Sequence, residues 1–93
     1  MSKITFSEEA WKDYLYWQMQ DRKTLKKINE LLKDIQRTPF DGKGEPEGLR
    51  GDLSGKWSRR INQKDRLVYE VTDGMIEVVQ CKGLIVINNG IRK

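Results

Sequence analysis

The sequence contains no histidine and one cysteine, Cys81. Without an imidazole there is no histidine general acid or base and no metal site of the Cys/His type. With one cysteine there is no internal disulfide. The composition therefore excludes histidine-dependent catalysis and a disulfide framework, and we expect no bound metal.

Long hydrophobic runs are also missing. The longest uncharged apolar run is Leu84 to Ile87, far short of the roughly 20 residues that a membrane span needs. The N-terminus carries charged residues where a signal peptide would carry an apolar stretch. We therefore expect a cytoplasmic protein without a membrane partner.

The length and the charge balance fit a small domain with an anionic partner. At 93 residues and 10.9 kDa, with 37% apolar residues, the chain can bury one modest core, so we expect a single domain over 1–93. The 18 basic residues exceed the 14 acidic ones, giving a net charge of +4. Such a surplus favours nucleic acid as a partner, although a well-solvated surface explains it equally well.

The first half of the chain predicts one strand and two helices. Ile4 to Phe6 favours a strand, and Ser7, followed by two glutamates, is typical of a helix N-cap. Asp21 can cap a second helix, which should end before Pro39. In the first helix Trp11, Tyr14 and Leu15 share one face, and we expect the aromatic residues of this helix, including Trp17, to be core residues.

The second half predicts a glycine-rich loop and an antiparallel sheet. Five glycines lie between Phe40 and Gly55, and we expect at most one short strand there, near Leu49 and Arg50. Three alternating segments then follow, the last two joined by the hairpin signal Asp73-Gly74. The predicted fold is α+β, β-α-α-β-β-β(-β), an antiparallel sheet with the two N-terminal helices packed on one face.

The other face of this sheet should expose polar side chains to solvent. Arg59 or Arg60, together with Arg66, could bind a phosphate there, since a guanidinium matches phosphate oxygens. Either Glu45 or Glu47 could take the proton of a ribose 2′-hydroxyl. Solvated arginines and carboxylates are the alternative, so the residues alone indicate an RNA-binding or RNA-cleaving surface and no more.

Five segments, SEEAWKDYLYWQ, KKINELLKDIQRTPF, GKGEPEGL, LSGKWSRRIN and RLVYEV, closely resemble the YoeB/Txe branch of the RelE-like toxins. These are ribosome-dependent mRNA interferases of bacterial type II toxin-antitoxin systems. The resemblance covers residues 1–82, and residues 83–93 form an atypical tail. It implies a microbial ribonuclease-like fold, no cofactor, and cleavage of mRNA in the ribosomal A site. It also implies a YefM-like antitoxin, the ribosome and mRNA as partners, and a possible homodimer.

The resemblance also implies site residues. Glu47 would be the general base, and Arg66 would stabilise the scissile phosphate. One or both of Arg59 and Arg60 should contact phosphate, and Arg50 would be a further contact. The lysines of the second helix, Lys26 and Lys27, would bind ribosomal RNA.

One departure from the family pattern concerns catalysis. Family members end in a His-Tyr pair, and this chain has Leu84 and Ile85 at those positions. The histidine is the expected general acid, and a positioned acid contributes about 10²- to 10⁴-fold. We therefore expect strongly reduced or absent cleavage.

The alternatives are a catalytically dead module that binds the antitoxin or the ribosome, and a free RNA-binding domain. The apolar run from Leu84 could extend the last strand or the sheet edge.

Overall fold

The computed structural model describes residues 2–87 and 90–92. Its elements in chain order are β1 (Lys3–Phe6), α1 (Glu8–Gln20), α2 (Arg22–Arg37), β2 (Glu47–Gly48), a short 3₁₀ turn (Gly51–Leu53), β3 (Trp57–Arg60), β4 (Arg66–Thr72), β5 (Met75–Gln80), β6 (Ile85–Ile87) and β7 (Gly90–Arg92). Neither α1 nor α2 has the length and hydropathy of a membrane-crossing helix in this described part of the chain.

Local side-chain chemistry fixes the two helix starts. The Ser7 hydroxyl accepts a hydrogen bond from the Ala10 N–H at 3.1 Å, and Asp21 Oδ1 accepts one from the Thr24 N–H at 3.2 Å. Each bond satisfies a backbone donor that the first helical turn leaves without an intrahelical partner. The second helix ends at Arg37, two residues before Pro39. Both predicted caps and the predicted helix end are confirmed.

The five-stranded sheet has the order β1-β5-β4-β3-β2. The pairs β2–β3, β3–β4 and β4–β5 are antiparallel, as predicted. However, β1 runs parallel to β5, with Ile4 beside Ile76, so the sheet is mixed and the prediction of an antiparallel sheet is wrong at this edge. No hairpin joins these two strands, so no tight turn dictates their direction.

The main core lies between the helices and one face of the sheet, and α1 contributes only part of the predicted set of core residues. Trp11 is 48% exposed and Leu15 is 39% exposed, whereas Trp17 is 8% exposed. The Trp17 Nε1–H donates to the Cys81 carbonyl at 2.8 Å. This bond fixes the rotation of α1, so the core prediction is confirmed for Trp17 and wrong for Trp11 and Leu15.

The opposite face of the sheet carries a smaller apolar cluster of Leu49, Val68 and Ile85. Ile85 begins β6, which pairs with β7 in a separate two-stranded antiparallel sheet. The apolar run that begins at Leu84 therefore does not extend the main sheet, contrary to one expectation. Instead Ile85, the first residue of β6, packs against Leu49 and Val68 on the sheet face opposite the helices.

Candidate active site

A polar cleft of about 180 Å³ lies on the sheet face opposite the helices. Its lining residues come from the end of the glycine-rich loop and from three neighbouring strands: Glu45, Glu47, Ser58, Arg60 and Arg66. Carboxylates and guanidinium groups thus face the same small volume. The cleft brings together the predicted base and two of the predicted phosphate ligands.

Strand register explains why these side chains meet. Glu47 on β2 lies opposite Ser58 on β3, and Arg60 lies opposite Arg66 on β4. Residues two apart on a strand share a face, and directly opposed residues have Cβ atoms about 4.5–5.5 Å apart. Ser58 is therefore the direct neighbour of the Glu47 position and adjoins both arginine positions.

Arg66 is held by carbonyl groups. Its Nη1 donates to the Asn62 carbonyl at 2.7 Å and to the Asp65 carbonyl at 3.1 Å. The residue is 3% exposed, and no ion pair joins it to a carboxylate among residues 2–87. Carbonyl oxygens orient the guanidinium without cancelling its charge, so the cleft presents a fixed positive charge to an anion.

Both candidate bases line the cleft. Glu47 is exposed and paired in β2, whereas Glu45 precedes Pro46 and has a positive φ of 52°. A positive φ is uncommon for a residue with a Cβ. The strand register gives Glu47 a fixed position beside Ser58, and Glu45 stays the alternative that the sequence left open.

Arg59 does not face the cleft. Its side chain is completely buried on the helix side of the sheet, where Nη1 donates to Asp34 Oδ2 at 2.7 Å. The remaining donors bond to the carbonyls of Thr38, Asp41 and Lys43 and to the Tyr69 hydroxyl. Successive strand residues point to opposite faces. The prediction that Arg59 contacts phosphate is therefore wrong, and Arg60 alone of that pair reaches the cleft.

The buried Asp34 organises the loop that precedes the cleft. Its Oδ1 accepts from Arg37 Nη2 at 2.7 Å, and its Oδ2 accepts from the Lys43 N–H at 2.8 Å as well as from Arg59. The hydrogen bonds from Arg37, from Lys43 and from Arg59 hold the pKa of Asp34 well below its usual range. Asp34 is therefore a carboxylate that ties the loop to α2.

Gly44 brings the same loop against β3. Its carbonyl accepts from the Arg60 N–H at 2.7 Å, and its φ is +80°. A Cβ at this position would lie 2.9 Å from Leu31 Cδ2 and 3.2 Å from the Arg60 carbonyl oxygen, so the crowding and the positive φ together favour glycine. The loop consequently delivers Glu45 and Glu47 to the edge of the sheet in a defined place.

Three predicted RNA contacts lie outside the cleft. Arg50 is exposed after Leu49, and it does not line the cleft among the described residues. Lys26 is exposed and Lys27 is half-buried, both on α2, which packs on the other face of the sheet. The structure thus separates the helix lysines from the cleft.

Leu84 and Ile85, where the resemblance implies a His-Tyr pair, also lie outside the cleft among the described residues. Leu84 lines a second pocket of about 370 Å³ with Tyr16, Trp17, Lys64, Asp65, Lys82 and Gly83. Ile85 is fully buried against Leu49 and Val68. Neither side chain can donate a proton, and Leu84 is 39% exposed whereas Ile85 packs in an apolar cluster.

Two residues of this region escaped the sequence analysis. Asp34 lies three residues after Leu31 and so falls on the apolar face of α2, which is an unusual place for a lone carboxylate. Ser58 precedes the arginine pair and carries no signal beyond its strand position. In residues 2–87 and 90–92, no group of three His, Cys, Asp or Glu residues could hold a metal ion.

The fold and the cleft together define a small α+β protein whose sheet presents arginines and carboxylates to a phosphate-sized space. The family model described as "YoeB-like toxin of bacterial type II toxin-antitoxin system" matches residues 6–83. The toxin YoeB of Escherichia coli (strain K12) is 58% identical over 80 residues, covering 86% of this chain and 95% of that protein.

Solved structures agree with the sequence comparison. A YoeB/ParE toxin from Agrobacterium tumefaciens superposes with a TM-score of 0.86 at 41% identity, covering 89% of this chain and 99% of that one. The toxin of a heterotetrameric YoeB-YefM complex from Staphylococcus aureus has a TM-score of 0.83 at 51% identity, with coverages of 88% and 95%. The chain belongs to the YoeB-like toxin family of bacterial type II toxin-antitoxin systems.

Proposed function

We propose that this toxin binds messenger RNA in the ribosomal A site and is an endoribonuclease whose cleavage step is strongly impaired. The observation that carries the proposal is the cleft, where Glu47, Arg60 and Arg66 line one space of about 180 Å³. Two guanidinium groups suit a phosphodiester, and a carboxylate beside them suits the adjacent ribose hydroxyl.

The proposed reaction uses only side chains. Glu47 takes the proton from a ribose 2′-hydroxyl, and the freed oxygen attacks the neighbouring phosphorus. Arg66 and Arg60 stabilise the negative charge that develops on the phosphate oxygens. The bond to the 5′-oxygen then breaks, leaving a 2′,3′-cyclic phosphate and a 5′-oxygen that needs a proton.

That last proton has no good donor in this chain. Leu84 and Ile85 stand where the family has its His-Tyr pair, and neither side chain can release a proton. Loss of a positioned acid lowers the rate by about 10²- to 10⁴-fold. A catalytically dead module that binds an antitoxin or the ribosome is the second candidate, and the absence of histidine from the sequence favours it.

The relatives suggest the partners. One S. aureus structure is described as a heterotetrameric YoeB-YefM complex and another as a YoeB dimer. We infer that this chain binds a YefM-like antitoxin and can form a homodimer. Lys26 and Lys27 would contact ribosomal RNA, and Arg50 would be a further phosphate contact. Residues 1–93 would act as a single toxin domain, in which 83–93 form a tail that differs from the family.

Primer extension on a ribosome-bound message tests the proposal. The natural sequence is compared with a Leu84→His, Ile85→Tyr variant that ends after residue 85. Cleavage by the variant alone is the expected result, and adding Glu47→Gln should abolish it. Because Ile85 is fully buried, circular dichroism must first show that the larger tyrosine leaves the variant folded.

Other outcomes reject specific parts of the proposal. Equal cleavage by both proteins would reject the role given to the missing acid. Loss of cleavage with Glu45→Gln but not with Glu47→Gln would transfer the base to Glu45. A natural sequence with no affinity for ribosomes at any salt concentration would reject the A-site proposal altogether.

A further inference from the structure

Ser58 places a hydroxyl at the centre of the candidate cleft. It is 3% exposed, and it lines the cleft with Glu47, Arg60 and Arg66. Its hydroxyl makes no hydrogen bond to another residue that the structure describes. The hydroxyl is not one of the sealed polar atoms that lack a partner, so it opens to the cleft and can bond to a molecule that binds there.

We propose that the Ser58 hydroxyl donates a hydrogen bond to a non-bridging oxygen of the RNA phosphate bound in the cleft. This inference rests on the proposed function, because it assumes that the cleft receives a phosphodiester. It adds a neutral donor between the two guanidinium groups and the base. Ser58 is thereby a residue that touches the reacting phosphate.

The strand register carries the argument. Ser58 lies opposite Glu47 on one side and opposite Val68 on the other. Arg60 follows it two residues later on the same face of β3, and Arg66 is the cross-strand partner of Arg60. A phosphate that contacts both arginines and lies within reach of Glu47 must therefore sit above the Ser58 position.

The chemistry fits this position. Val68 is apolar, so Ser58 supplies the hydroxyl donor at the middle of the cleft floor. Each arginine has five N–H donors on a long side chain with several rotatable bonds. The serine side chain is short, so rotation about the Cα–Cβ bond alone sets the position of its hydroxyl oxygen. A donor that is already in place when charge develops on a phosphate oxygen stabilises the transition state most effectively.

A non-cleavable RNA tests the contact in the protein as it exists. The probe is a short single-stranded RNA with one 2′-deoxynucleotide, followed by a normal phosphate or by either diastereomer of a phosphorothioate. Fluorescence anisotropy at low salt measures its affinity. Sulfur accepts hydrogen bonds poorly, so the natural protein should bind one diastereomer more weakly than the oxygen probe.

The Ser58→Ala variant should bind the oxygen probe about tenfold more weakly, which corresponds to the loss of one hydrogen bond. It should also lose the discrimination between the two diastereomers. Ser54→Ala is the matched control, because Ser54 is exposed and does not line the cleft among the described residues. The melting temperature should not fall in either variant, since neither change removes a protein hydrogen bond.

The outcomes separate this inference from the proposed function. If Arg66→Ala weakens binding and Ser58→Ala does not, Ser58 only leaves room for the arginines, and the inference is overturned. Loss of affinity in Ser58→Ala with diastereomer discrimination intact would likewise overturn the direct contact. If Arg66→Ala also has no effect, the cleft is not a phosphate site and both proposals fail. If the unmodified protein does not bind the free RNA saturably, the Ser58 contact is overturned, whereas the A-site proposal is decided by ribosome binding.

Discussion

Asp34 Oδ2 and Arg59 Nη1 form a buried ion pair at 2.7 Å, with side-chain exposures of 3% and 0%. The pair joins α2 to β3 beneath the glycine-rich loop. Arg59 also donates to the carbonyls of Thr38, Asp41 and Lys43, so one guanidinium fixes three points of that loop. The segment that leads to Glu47 is thus supported from the core.

Removing the charge of Asp34 should destabilise the fold. We expect Asp34→Asn to lower the free energy of unfolding by about 3 kcal/mol, because it leaves the buried Arg59 charge uncompensated. Urea denaturation measures the change. Asp73→Asn is the matched control, since Asp73 lies exposed in the β4–β5 turn at φ 48°, a conformation that asparagine also adopts. A loss below about 1 kcal/mol in Asp34→Asn would contradict the structural role.

The same carboxylate predicts an acid-sensitive contribution to stability. Hydrogen bonds from Arg37, Lys43 and Arg59 depress the pKa of Asp34 in the folded state. The ionised carboxylate therefore stabilises the fold fully when the pH is above the pKa of an aspartate in the unfolded chain, about 3.9. This stabilisation is lost as the pH falls toward the lower pKa of Asp34 in the folded protein. The stability difference between the natural protein and Asp34→Asn should therefore stay constant from about pH 7 to 5 and shrink below about pH 4. A difference that grows on acidification would refute this.

Cys81 should be chemically inert in the folded protein. Burial and the nearby carboxylates of Asp13 and Asp65 raise the pKa of its thiol to about 12, and its side chain is fully buried. At pH 8 we expect no reaction with an aromatic disulfide reagent on the timescale of minutes and complete reaction in guanidinium chloride. Rapid labelling of the native protein would show that the Cys81 segment opens readily.

The two tryptophans of α1 should differ in their effect on stability. Trp17→Phe removes the donor that satisfies the buried Cys81 carbonyl, so we expect a loss of about 1–3 kcal/mol. Trp11→Phe is the control at a 48% exposed position, where a change of about 0.5 kcal/mol is typical. Thermal unfolding of both variants measures the contrast. Equal losses would mean that the anchor to Cys81 contributes little.

Features set by short-range chemistry could be predicted from the sequence. The caps at Ser7 and Asp21, and the hairpin at Asp73-Gly74, each depend on a few adjacent residues, and all three are present. The exposed face of α1 could not be predicted, because a bond from Trp17 to a carbonyl 64 residues away selects it. The parallel pairing of β1 with β5 likewise depends on residues that are far apart in the sequence, such as Ile4 and Ile76.

The candidate site was predictable in part. Glu47, Arg60 and Arg66 follow from the resemblance and do line one cleft, although their chemical roles stay predictions. Strand alternation implies that Arg59 and Arg60 face opposite sides, yet sequence alone does not say which one is buried. That choice depends on Asp34, which lies 25 residues away in α2. Ser58 was missed because a serine in a strand has no distinctive pattern.

The parallel pairing of β1 with β5 has a consequence for synthesis of the chain. The Ser7 hydroxyl donates to the Val79 carbonyl across a separation of 72 residues, and β1 is in register with Met75 to Val78. Strand β1 therefore has no partner in the main sheet until β5 has emerged from the ribosome. Contacts of such long sequence separation form slowly. Completion of the sheet, and with it the surface that carries the cleft, must wait until β5 has been synthesised.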